Sequence, residues 1–137
     1  IAMKDSPSLK LSIKSDPAEL APVRKSVEAF CAENGFGEHA VGEIGLCVNE
    51  AIANIIRHAY HGEIDQPIEI EATIEADKLH VKIRDWGEGN KPNMQVTKSK
   101  DPLKPGGLGL ICMGRLMDKV AFTPQSIGML LEMFKKK

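Results

Sequence analysis

The stretch from Pro67 to Asp85 constrains the fold more than any other part of the chain. Ile68, Ile70, Ala72 and Ile74 alternate with Glu69, Glu71 and Thr73, and the alternation resumes after Ala76-Asp77-Lys78 through Leu79, Val81 and Ile83. A period of two puts every second side chain on one face of a strand, so this stretch is predicted to be a β-hairpin with one apolar face. That face needs a covering layer, and upstream helical patterns supply it. Ser15-Asp16-Pro17 reads as a helix start with proline in the first turn, Leu20, Val23, Val27 and Phe30 recur at helical spacing, and Asn34-Gly35 ends the helix. A second helix is predicted from about Glu38 to Tyr60, with Val41, Ile44, Val48, Ala51 or Ile52, and Ile55 as its apolar stripe. Leu9, Leu11 and Ile13 alternate with polar residues and read as another strand. A third helix is predicted from Gly106 to about Met117, and 118–122 and 129–134 as two closing strands. The expected class is α+β, a two-layer sandwich with helices on one face of a mixed, mostly antiparallel sheet.

Composition narrows the function classes. The 137 residues are one domain's length, so residues 1–137 are expected to form a single unit. With Lys+Arg 18 against Asp+Glu 19 the net charge is -1, which gives no global pull toward nucleic acid or an anionic membrane. No apolar run approaches the roughly 20 residues of a spanning helix, and no basic-then-apolar leader opens the sequence. Cys31, Cys47 and Cys112 lie far apart in apolar surroundings without a C-x-x-C spacing, so they are expected to be buried thiols of a cytoplasmic protein. Residues 90–105, with Pro92, Pro102, Pro105 and four lysines, show no periodicity and read as a long loop.

Three polar features carry chemistry. The second helix holds Asn49, Glu50, Asn54, Arg57, His58 and His61 inside an otherwise apolar pattern, and Glu50 and Asn54 lie one turn apart on one face. An Asn oxygen is a hard ligand suited to Mg2+, and a neighbouring Glu can act as general base; an exposed polar strip of an amphipathic helix is the plainer alternative. Asp85 ends a strand and meets glycines at 87 and 89, where a carboxylate can accept from an exocyclic amine while the backbone packs on a flat ring; a simple Asp-Gly turn is again the alternative. Gly106-Gly107-Leu108-Gly109 precedes a helix, where free N–H groups favour an anion, although no Walker lysine follows.

In this order the three features resemble the GHKL ATPase superfamily, and within it the bacterial anti-sigma-factor serine/threonine kinases. The residues that carry the resemblance are Asn49–Tyr60, Ile83–Gly89 and Gly106–Met113. It implies a Bergerat-type ATP-binding fold, ATP or ADP as ligand and Mg2+ as cofactor. By resemblance, Asn54 holds the metal and Glu50 takes the proton of an acceptor serine. Asp85 binds the adenine amine, with Gly87 and Gly89 shaping the pocket. Gly107, Leu108 and Gly109 meet the phosphates, 90–105 is a lid, and Lys98, Lys100 or Lys104 steadies the γ-phosphate. His58 matches the pattern and is expected to be structural. The implied partners are a sigma factor, a STAS-domain antagonist that is phosphorylated, and a second copy of the chain in a homodimer. A nucleotide-gated binding module and a detached histidine-kinase-like catalytic domain are the alternative functions. Two departures stand out. Met129 follows Gly128 where the family often has Thr, and Lys104-Pro105 stand where relatives often carry Arg.

Overall fold

The computed structural model describes residues 6–88 and 107–137, with side chains in the second stretch from residue 112 onward. Strand β1 (Ser8–Lys14) leads into helix α1 (Leu20–Glu33), and α2 (Glu38–Asn54) follows. Strands β2 (Pro67–Glu75) and β3 (Lys78–Asp85) form the predicted hairpin. Helix α3 (Gly107–Leu116) and strands β4 (Lys119–Pro124) and β5 (Met129–Lys136) complete the order. The sheet runs β1-β2-β3-β5-β4. All of its ladders are antiparallel, so the parallel pairing allowed by the sequence is not found among the described residues. The reason is topological. β3 and β4 point the same way, but β5 lies between them and runs against both.

The register explains the layer. Ile68, Ile70, Ala72 and Ile74 pair with Asp85, Ile83, Val81 and Leu79, and β5 continues the rows with Met129 opposite Asp85, Leu131 opposite Ile83 and Met133 opposite Val81. All of these face the helices and are buried. They meet Val23, Val27 and Cys31 of α1 and Ile44, Cys47, Val48, Ala51 and Ile52 of α2. Each apolar side chain so buried contributes about 1.5–3 kcal/mol. One member of the inward column is not apolar: Asp85, at the end of β3, is only 4% exposed.

Local signals behave as physical chemistry requires. Asp16 accepts from the amide of Ala18 at 2.9 Å, and the first turn, Pro17–Glu19, is 3-10 before α1 proper begins. Gly35 has φ +96°, and the bonds Gly35 N–H to Ala32 O and Phe36 N–H to Cys31 O close α1 as a Schellman motif. Ser15, fully buried, donates to Glu63 O at 2.6 Å and accepts from the Gln66 amide at 3.0 Å, which ties β1 to the connection before β2. Lys135 faces inward from β5, donates to Leu116 O at 2.6 Å and pairs with Glu43 at 3.4 Å, which holds the end of α3 against α2. Cys31 and Cys47 are buried as expected, and burial pushes their thiols up to about 12 and about 11; Cys112 is half-buried instead. None of the described helices is long and apolar enough to cross a membrane.

One boundary differs from the sequence expectation. The second helix does not stay α-helical to Tyr60. It passes into a π-helical turn, Ile55–Ala59. The Tyr60 amide bonds to Ile55 O at 3.0 Å and the Gly62 amide to Ile56 O at 2.8 Å. The wider turn lets Ile55, Ile56 and Tyr60 all be buried. Such turns recur at functional sites.

Candidate functional site

The end of α2, its π-helical turn and the end of β3 meet at one edge of the sandwich. On the β3 side, Oδ1 of Asp85 accepts from the Gly87 amide at 2.9 Å. Burial raises the Asp85 carboxyl above the usual carboxylate range, against the lowering influence of the Gly87 amide, the Arg84 guanidinium and the Met129 amide. A carboxylate held in an apolar column, with no ion pair among the described residues, is suited to a neutral donor such as an exocyclic amine.

Two glycines shape this side. A Cβ on Gly87 would stand 2.7 Å from both the carbonyl carbon and the Cβ of Ala59, in the π-helical turn. Gly128 has φ +85°, and a Cβ there would stand 2.6 Å from Trp86 Cα and 2.7 Å from the carbonyl carbon of Asp85. Only glycine fits such approaches. Tyr60, 4% exposed, completes the join: its hydroxyl donates to Pro67 O at 2.6 Å and accepts from the Trp86 amide at 2.7 Å. Burial raises the phenol above its ordinary value. Trp86 lies under the Arg84 guanidinium, 4.5 Å from the ring centre.

The α2 side is arranged differently. Asn54 is the last residue of α2, and its Oδ1 accepts from Arg57 Nη2 at 2.8 Å on the exposed side. Its Nδ2 is buried without a partner among the described residues, as is Nε2 of His58. Burial, with the charges of Arg57 and His61, lowers the His58 pKa below its ordinary value, so the ring is neutral near pH 7. Glu50, half-buried, sits one turn before Asn54.

The donor set bears on magnesium. Among the described residues no group of three or more His, Cys, Asp or Glu gathers to hold a metal. What is present is one carboxamide oxygen already engaged by a cation, Arg57. That fits a metal carried in on phosphate oxygens, for which the protein adds one or two ligands.

The predicted site residues therefore divide. Glu50, Asn54, Asp85 and Gly87 lie on the elements that meet here. Gly107, Leu108 and Gly109 form the first turn of α3, which packs on α2. Gly89, Lys98, Lys100, Lys104 and the lid at 90–105 lie outside the described residues. Sequence reasoning missed Tyr60, the bond from Arg57 to Asn54 and the close approach of Gly128. Tyr60 stood inside the quoted helix motif, and Gly128 precedes a noted departure, so each was visible as a residue but not as a contact.

A family model described as histidine kinase-like ATPase domain matches residues 13–135. The chain is 33% identical over 126 residues to a serine-protein kinase RsbW of Listeria monocytogenes, covering 86% of this chain and 79% of the relative. It is 30% identical over 122 residues to an anti-sigma F factor of Oceanobacillus iheyensis, covering 86% and 82%. Among solved structures, the RsbU and RsbW domains of a Mycobacterium tuberculosis protein align with a TM-score of 0.72 over 95% of this chain, which spans 32% of that one. A blue-light activated histidine kinase of Erythrobacter litoralis gives 0.60 over 88% of this chain and 41% of that one. Both are 16% identical, so this likeness concerns the fold. The chain belongs to the histidine kinase-like ATPase domain family. Within it the chain stands with the anti-sigma kinases.

Proposed function

We propose that the chain is an ATP-dependent protein-serine kinase of a partner switch, which binds a sigma factor and phosphorylates a STAS-domain antagonist. The observation that carries this reading is Glu50 one helical turn before Asn54, at the edge where the inward Asp85 and the close-packed Gly87 lie. The relatives' names, serine-protein kinase and anti-sigma F factor, support it.

Each residue has a role set by its surroundings. Asp85 accepts from the adenine amine, and Gly87, whose missing Cβ lets the turn close against Ala59, holds the carboxylate in place through its amide. The α3 amides from Gly107 to Gly109 face the phosphates at a helix N-terminus. Asn54 would hold magnesium, which when bound would neutralise charge on the phosphates. Glu50 takes the proton from the acceptor serine as its oxygen bonds to the γ-phosphorus and the bond to the bridging oxygen breaks, leaving ADP. Most of the rate comes from positioning. Phosphate contact by Lys104, a lid at 90–105 and a homodimer belong to the same proposal.

The test is transfer of labelled γ-phosphate to a STAS-domain antagonist. Glu50→Ala is expected to slow transfer by about 10²–10⁴-fold, the range for a lost general base, while ATP affinity stays near wild type. Transfer at the wild-type rate would remove Glu50 from its role. Phosphate on histidine, labile in acid, would point to the histidine-kinase-like alternative. A nucleotide-gated binding module is the second reading, and Met129 opposite Asp85 favours it, because thioether stands where a hydroxyl often serves the base. It predicts nucleotide-dependent capture of a partner with no phosphoserine formed.

A further inference from the structure

The phosphate end of the site contains a cation of the protein's own. Arg57 Nη2 donates to Asn54 Oδ1 at 2.8 Å, while the other atom of that amide, Nδ2, is buried and unpartnered among the described residues. The amide is thus turned with its oxygen outward and a positive charge already on it. Arg57 reaches it from the π-helical turn that begins directly after Asn54.

We propose that Arg57 competes with magnesium for Asn54, so that the protein sets its own magnesium requirement for nucleotide binding; the inference rests on the pocket reading above. A divalent cation on the same oxygen would lie within a few ångströms of the guanidinium, where like charges repel. The two cations therefore exclude each other. The state in which Arg57 holds Asn54 exists only without metal, and a state that exists only in the unbound ensemble lowers apparent affinity by the fraction it occupies. Removing it raises affinity. A guanidinium bonded on the exposed side of a half-buried carboxamide contributes modestly, so the restraint is of a size that a bound nucleotide overcomes. Arg57 acts through Asn54 and is a positioning residue, not a catalytic one.

The experiment is calorimetric titration of ATP with and without Mg2+, scored as the ratio of the two dissociation constants. The ratio cancels any direct attraction between Arg57 and phosphate that is present in both arms. Arg57→Ala is expected to raise the magnesium-dependent ratio by about threefold or more. Arg57→Lys, which keeps the charge but loses the planar fork, is expected to return it part of the way. In an Asn54→Ala background, Arg57→Ala is expected to leave the ratio unchanged, because the coupled partner is gone. Thermal unfolding of each variant confirms that the comparison is between folded chains. An unchanged or lower ratio in Arg57→Ala, with the wild-type ratio abolished by Asn54→Ala, overturns the competition and keeps the pocket. A wild-type ratio of one overturns both.

Discussion

The two ends of the site are built on opposite plans. At the β3 end the backbone contacts are completed: Tyr60 joins Pro67 to Trp86, the Gly87 amide meets Asp85, and Gly87 and Gly128 press against neighbouring main chain. At the α2 end, Asn54 and His58 carry buried nitrogens without partners among the described residues, and the bond from Arg57 to Asn54 is exposed. The first end is closed by backbone hydrogen bonds and close packing, and the second holds polar groups without partners among the described residues. On the proposed reading the first suits a flat, uncharged group and the second a charged one. Shape can be fixed in advance because packing costs little to hold. A phosphate-and-metal site built in advance would leave charges unpaired whenever it stood empty.

The largest expected break of this contrast is Asp85→Asn. The amide keeps an oxygen for the Gly87 N–H but cannot offer a carboxylate to an amine, so ATP binding is expected to fall by roughly 30-fold or more in calorimetry, the loss of a charge-assisted bond. Stability moves the other way. Because burial raises the folded pKa, the folded chain keeps a proton that the unfolded chain has lost. Wild-type stability therefore declines as pH rises from the ordinary aspartate value of 3.8 through the raised folded value, and above that the loss is constant. Asp85→Asn is expected to flatten this decline and raise the denaturation midpoint at pH 7. A variant less stable than wild type at pH 7 would contradict the buried-charge account. Next in size is Tyr60→Phe, which leaves the Trp86 amide and Pro67 O unpaired. A loss of about 1–3 kcal/mol is expected in urea unfolding. The smallest effect on folding is Asn54→Ala. Its Nδ2 is already unpaired and its other bond is exposed, so stability is expected to stay within about 0.5 kcal/mol while magnesium-dependent binding is lost. A large loss of stability in Asn54→Ala would mean that the α2 end is as prebuilt as the β3 end.

The fold was legible where one face of an element meets one environment. Alternation from Ile68 to Ile83 specified both strands of the hairpin and their inward sides; Asp85 was legible from the glycines that follow it, and its place in the apolar column comes from the register. Gly35 was legible as a helix stop because only its φ matters there. The π-helical turn was not, because Ile55-Ile56 suits an α-helix equally well locally and only the burial of Tyr60 against distant β-strand ends decides between them. Contacts such as Tyr60 to Trp86 or Gly128 to Asp85 join segments that carry no mark of each other in the sequence. Arg57 read as one more polar residue on a helix, and its meaning comes from the amide it holds.

The two glycine contacts also bear on how such a protein can diverge. Gly87 leans on the main chain of Ala59, and Gly128 on the main chain of Asp85 and Trp86, so neither position can gain a side chain while its neighbour stays in place. Substitutions at the β3 end must arrive together or not at all, and lineages have few viable paths through it. Arg57 is exposed and bound to a single described side chain, so it can be exchanged one mutation at a time. If the proposed roles hold, descendants of this chain would keep what they recognise and retune how readily they let it in.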